Sequence, residues 1–148
     1  MRPYKKVLIA VVDDSEYGLA AAQKGLALTR QLGADPALAY IMDTRVLSNP
    51  ELGPSYIEIK GHMETQARET LDELAAMYEG GEVKKYFRES HSLFKEIIKV
   101  GRDWSADLII IGSRQRTGLE HLLMGSVAEH VMRNSPIPIM IVPGRVKS

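Results

Sequence analysis

The run Leu108-Ile109-Ile110-Ile111 constrains this chain most, because four consecutive apolar residues leading directly into Gly112-Ser113 leave no polar face. A strand of that kind must be covered on both sides, as in a parallel sheet held between helices. Val7-Leu8-Ile9-Ala10-Val11-Val12 repeats the pattern near the start, and Ile137-Pro138-Ile139-Met140-Ile141-Val142 repeats it near the end. Two less continuous runs, 37–42 and 83–88, bring the expected strands to five.

Helical periodicity fills the intervals. Ser15 is placed to cap a helix in which Leu19, Ala22 and Leu26 share one face, and Gly33 marks its end. Met63, Ala67, Leu71, Leu74 and Tyr78 trace a second helix, stopped by Gly80-Gly81. Leu93, Ile97 and Ile98 trace a third, and Val127 with Val131 a fourth that ends before Pro136. Strict alternation of strand and helix predicts an α/β fold: an open, doubly wound, five-stranded parallel sheet with helices on both faces. Ligands of such sheets sit at the carboxyl ends of the strands, where the winding reverses. Residues 43–57, with Pro50, Gly53 and Pro54, are expected to form a long irregular connection, either a lid or a solvated crossover.

Composition narrows the function classes. A chain of 148 residues with 45% hydrophobic content suits one domain over residues 1–148. Nineteen basic residues balance nineteen acidic ones, so no global field draws the chain to nucleic acid or to a membrane surface. No apolar run approaches membrane-spanning length, and the six residues before the first strand are too few for a signal peptide. The lack of cysteine excludes disulfides and thiolate metal sites, and a cytoplasmic location is expected.

Gly112-Ser113 closes a buried strand, and Gly125-Ser126 follows thirteen residues later at the start of the fourth helix. Small residues at a strand end and a helix start offer backbone N–H groups and a positive dipole end, which suit phosphate. Arg114 and Arg116 are candidates for a guanidinium clamp on the same anion. No Lys follows Gly118 or Gly125 as a P-loop requires, and Val11-Val12-Asp13-Asp14-Ser15 replaces the glycine-rich turn of a dinucleotide fold.

Other reactive side chains read as structural. His62, His91, His121 and His130 lack paired ligand spacing and are expected at the surface. Ser113 has no nucleophile-elbow context. Met63, Met77, Met124, Met132 and Met140 read as core, Lys84-Lys85 as a charged sheet edge, and Trp104 as packing at the end of the third helix.

Over nearly its whole length the chain resembles the universal stress proteins. The features that carry the resemblance are Val7–Ser15 with Asp13, Ala39-Tyr40-Ile41-Met42-Asp43, Ala106–Ser113, and Leu123-Met124-Gly125-Ser126-Val127-Ala128 leading to the last strand. The family's ATP-binding branch is marked by a glycine, two residues, a second glycine, nine residues and then Gly-Ser or Gly-Thr. Gly112 and Gly125-Ser126 match, whereas Gln115 stands at the second glycine.

The resemblance implies a Rossmann-like fold of the nucleotide-binding α-hydrolase type, with ATP or ADP and Mg or Mn between the first and fourth strands. It implies Val12 and Ile41 beside the adenine, and Asp13 near the ribose or a phosphate-bound Mg. It places Gly112, Ser113, Gly125 and Ser126 around the phosphates, with Ser15 and Val127 beside the nucleotide, while Arg114 and Arg116 are expected to compensate for Gln115 by direct charge. It further implies a homodimer joined through the edge strand 137–142, and at most slow ATP hydrolysis. Two functions follow: a nucleotide-dependent stress-response signalling or protective module, or, given Gln115, a nucleotide-free dimeric adaptor for a protein partner that the sequence does not name.

Overall fold

A computed structural model describes residues 4–113 and 125–143. Strands β1 (Lys6–Val11), β2 (Asp35–Asp43), β3 (Lys84–Ser90), β4 (Leu108–Gly112) and β5 (Ile139–Val142) form one sheet in the order β3-β2-β1-β4-β5. Every neighbouring pair is parallel. Helices α1 (Glu16–Leu32), α2 (Tyr56–Met77), α3 (Leu93–Trp104) and α4 (Ser126–Asn134) connect the strands. From β1 the chain steps outward to β2 and β3, then returns to lay β4 and β5 on the other side. The winding therefore reverses between β1 and β4, as the strand–helix alternation predicts, and the crevice opens at their carboxyl ends.

Alternation along each strand divides the core in two. Val7, Ile9 and Val11 of β1 face α1 and α2, where they meet Ala22, Leu26, Leu71 and Leu74. Leu8 and Ala10 face α3 and α4 with Ile97, Val100, Ala128 and Val131. The apolar continuity of β1 and β4 is thus used on both faces, and each fully buried Ile or Leu contributes roughly 1.5–3 kcal/mol.

The helix signals act as read. Ser15 caps α1 by accepting a bond from the Gly18 N–H at 3.2 Å, and Gly33 ends the helix in the left-handed conformation at φ 68°. The start of β1 is pinned by Asp107, whose carboxylate accepts the Lys5 and Lys6 N–H groups at 2.8 and 2.9 Å. Those bonds hold its carboxyl below the usual aspartate range. Lys84 and Lys85 lie on edge strand β3, where Lys85 pairs with Asp72 at 2.7 Å. Trp104 packs half-buried on the α3 face, with the Lys6 ammonium 5.2 Å from its ring centre.

The structure corrects several expectations. Residues 43–57 are not an irregular connection, since Thr44–Ser48 and Pro50–Ser55 form 3-10 turns and α2 already begins at Tyr56. Asp43 and Asn49 organise those turns by accepting the N–H groups of Arg45 and Glu51, each at 2.9 Å. β2 starts at Asp35, before the expected 37, and β5 starts at Ile139 because Ser135 holds Ile137 in a turn. Met77 and Met132 are exposed, unlike the half-buried Met63 and Met140. Met77 ends α2, with its sulfur 3.4 Å from Gln23 Nε2, and Met132 lies on the outer side of α4.

Candidate functional site

The carboxyl end of β1 delivers Val12 and Asp13 to the crevice. Asp13 Oδ1 accepts the Ser15 N–H at 2.9 Å and also the Ser15 hydroxyl, while Ser15 Oγ receives the Gly18 N–H. This chain of bonds fixes the carboxylate at the start of α1. Among the described residues Oδ2 accepts nothing, so it is available to a hydroxyl or a cation. The close turn requires Gly18, because a Cβ there would lie 2.6 Å from both the Asp13 carbonyl and its Oδ1.

β4 brings Gly112 and Ser113 alongside. A Cβ on Gly112 would stand 2.9 Å from the Ala21 methyl carbon, so the missing side chain lets α1 lie close over the strand end. The Ser113 N–H donates to the Val142 carbonyl at 3.0 Å, and the Ser113 carbonyl accepts the Gly125 N–H. The ends of β4 and β5 and the start of α4 are therefore joined through one residue. Gly125 caps α4 without a side-chain bond, and the first described intrahelical bond runs from the Glu129 N–H to the Gly125 carbonyl at 3.0 Å. The N–H groups of Ser126, Val127 and Ala128 precede it and point out of the helix start.

Two clefts meet at Asp13. One of about 30 Å³ lies between β1, β4 and α1 and is lined by Val12, Asp13, Ser15, Gly18 and Gly112. The other, about 180 Å³, lies between the ends of β1 and β2 and is walled by Asp13, Asp14, Tyr40, Val46 and Met63. Larger hollows occur elsewhere, including one of about 960 Å³ bounded by Asp35, Lys84 and Trp104. Asp35 and Lys84 open β2 and β3, so that hollow lies at the amino ends of the strands, away from the reversal point.

The fold thus brings Val12, Asp13, Ser15 and Gly112 together and joins Ser113 to Gly125, with Ser126 and Val127 beside them. Ile41 stands apart: it is fully buried in the α3-face core with Ala39 and Ile97. Arg114, Gln115, Arg116, His121 and Met124 lie outside the described residues. His62, His91 and His130 are exposed as expected, and the His130 ring stacks on Phe94 at 5.0 Å. No group of three or more metal-ligating side chains occurs among the described residues. Sequence reasoning passed over Gly18, Asp43 and Val46. Gly18 carries a signal, standing three residues after the cap. Asp43 carries one in its i, i+2 relation to Arg45, whose guanidinium it grips at 2.6 Å and raises above its usual range. Val46 carries none.

The sequence model of the universal stress protein family matches residues 3–143. The chain belongs to the universal stress protein family. Among relatives, this universal stress protein is 29% identical over 140 residues to MJ0531 of Methanocaldococcus jannaschii, covering 94% of this chain and 82% of that one. The solved structure of MJ0577, from the same organism, superposes with a TM-score of 0.79 at 28% identity, over 98% of this chain and 99% of that one. A universal stress protein solved in complex with cAMP shares the fold at TM-score 0.63 and 17% identity, over 96% of this chain and 98% of its own. No helix among the described residues is long and apolar enough to cross a membrane.

Proposed function

We propose that residues 1–148 act as one universal-stress-type domain that binds ATP or ADP at the carboxyl ends of β1 and β4. The observation that carries this reading is the Ser113–Gly125 hydrogen bond, which sets the open N–H groups of α4 beside Gly112 and across the crevice from Asp13. The phosphates take those N–H groups, Asp13 Oδ2 takes a ribose hydroxyl or a phosphate-bound Mg or Mn, and Val12 supports the base. Ile41 backs Val12 from the core, since both belong to the α3-face cluster. Arg114 and Arg116, outside the described residues, are the cations this reading assigns to the phosphates. The bound form serves as a cytoplasmic stress-response signalling or protective module and pairs through β5, with hydrolysis slow or absent.

A nucleotide-free dimeric adaptor is the second reading, and the size of the described clefts favours it. Neither cleft at Asp13 reaches the roughly 300 Å³ at which small-molecule sites begin. Denaturing freshly purified protein and identifying the released molecules by mass spectrometry separates the two. Stoichiometric ATP or ADP is expected. Saturating Mg-ATP should also raise the melting temperature, since a ligand at a hundred times its Kd stabilises the folded state by about 2.7 kcal/mol. No nucleotide and no shift at millimolar Mg-ATP would end the nucleotide reading and leave the adaptor.

A further inference from the structure

The chain holds no cysteine, so its sulfur chemistry belongs to methionine. Burial sorts the described methionines. Met42 is buried and Met63 and Met140 are half-buried, whereas Met132 is 45% and Met77 55% exposed. Met77 closes α2, and its thioether stands beside a groove of about 560 Å³ between α1 and the end of α2. Leu26, Ala27 and Tyr78 give that groove apolar walls. Gln23, Ala27 and Arg30 recur at helical spacing on the α1 side, and two of them reach across. Gln23 Nε2 donates to the Met77 sulfur at 3.4 Å, and Arg30 pairs with Glu79 at 3.0 Å.

The first of these bridges is mismatched. A carboxamide N–H is a full donor, and a thioether is a weak acceptor. Oxidation removes the mismatch, because a sulfoxide carries a polar oxygen on the sulfur. With hydrogen peroxide, the Met77 sulfur lone pair attacks one peroxide oxygen, and the S–O bond forms as the O–O bond breaks. Sulfur gives up two electrons, the proton of the transferred oxygen passes to the departing hydroxide, and water leaves. Within a core, a sulfoxide disrupts packing by bringing a polar group among apolar ones. At Met77 the Gln23 amide already donates to the atom that takes the oxygen.

We propose that Met77 is a site of reversible sulfoxidation by peroxide, with Gln23 as the residue that receives the sulfoxide oxygen. The modified side chain keeps α1 tied to the end of α2 instead of stranding a polar group against Leu26 and Tyr78. A methionine sulfoxide reductase returns the thioether. The inference does not rest on nucleotide binding.

The test is graded hydrogen peroxide treatment of the full chain, followed by peptide mass spectrometry that assigns each added oxygen. Met77 is expected to be oxidised at lower peroxide than Met42, Met63 and Met140, and reductase with thiol should remove the oxygen. Melting temperatures before and after treatment are then compared in the parent, Gln23→Ala and Met77→Leu. Each protein is its own reference, and oxidation at the other methionines is common to all three. The parent should shift no further than Met77→Leu, whereas Gln23→Ala should fall by about 2–4 °C more, the size of one lost hydrogen bond in a domain of this length. Three results would each overturn the proposal: Met77 oxidised no sooner than Met63 and Met140, a sulfoxide that the reductase leaves in place, or a parent that shifts as far as Gln23→Ala.

Discussion

Gly112 and Ala21 are in such close register that one added methyl group would bring two carbons to 2.9 Å. The contact presses α1 onto the end of β4, so its tightness sets the width of the crevice. Gly112→Ala should cost about 1–3 kcal/mol in urea unfolding, the usual penalty for overfilling a packed site. Combining it with Ala21→Gly should recover part of that loss, and a double-mutant cycle with no coupling would show that the contact is relaxed by other means.

Ser15 and Asp13 separate stability from binding. Ser15→Ala removes the cap of α1 and should lower stability by about 1 kcal/mol in thermal or urea unfolding. Asp13→Ala should do more damage to the Mg-ATP-induced rise in melting temperature than to the melting temperature itself. Equal nucleotide response in the parent and Asp13→Ala would remove the carboxylate from the site.

Asp107 should govern part of the acid response. Its native carboxyl lies below the unfolded value of about 3.9, so the unfolded chain binds more protons as the medium acidifies. The stabilisation is complete above the unfolded pKa and is lost as pH falls through the native one. Asp107→Asn should therefore be less stable than the parent at neutral pH, and the gap should narrow on acidification below about pH 4. Parallel stability curves across that window would contradict the assignment.

The edge strand β5 presents Ile139, Met140 and Ile141, each only half-buried, beside a backbone edge that pairs with no other strand among the described residues. Pairing with a second copy would cover it. Light scattering at micromolar concentration should report a dimer, and Met140→Lys should halve the apparent mass. A monomeric parent protein would end this reading.

The topology was legible because the strongest sequence signals coincide with the most buried elements. Leu8, Ile9, Ile109 and Ile110 are covered on both faces, and only a central parallel strand tolerates such continuity. The start of β2 was hidden by Asp35-Pro36, which reads as a break. In the sheet the Asp35 N–H donates to Lys5 of the β1 side, and pairing with β3 begins only at Ala37, so no ladder bond is asked of Pro36. The 3-10 turns were hidden because Asp43 and Asn49 supply order through side chains, in a stretch whose prolines and glycine resemble a loop.

The candidate site was legible in kind and only partly in shape. Asp13, Gly112 and Gly125 stand out as residue types at strand ends and a helix start, and the fold gathers them. Ile41 suits a base pocket and a core equally by residue type, and the alternation of β2 places it in the α3-face cluster against which Val12 also packs.

The pairing of β1 with β4 carries a consequence for biosynthesis. Val7 meets Leu108 and Ala10 meets Ile111, so the central strand waits about a hundred residues for its second neighbour. Three of the five strands, β3-β2-β1, precede β4 in the chain and can pair before it is made, with one edge of β1 uncovered. Such long-range closure is slow and leaves aggregation-prone surface open in the interval. The crevice, which needs the carboxyl ends of both β1 and β4, is therefore complete only once residues 108–112 have been made.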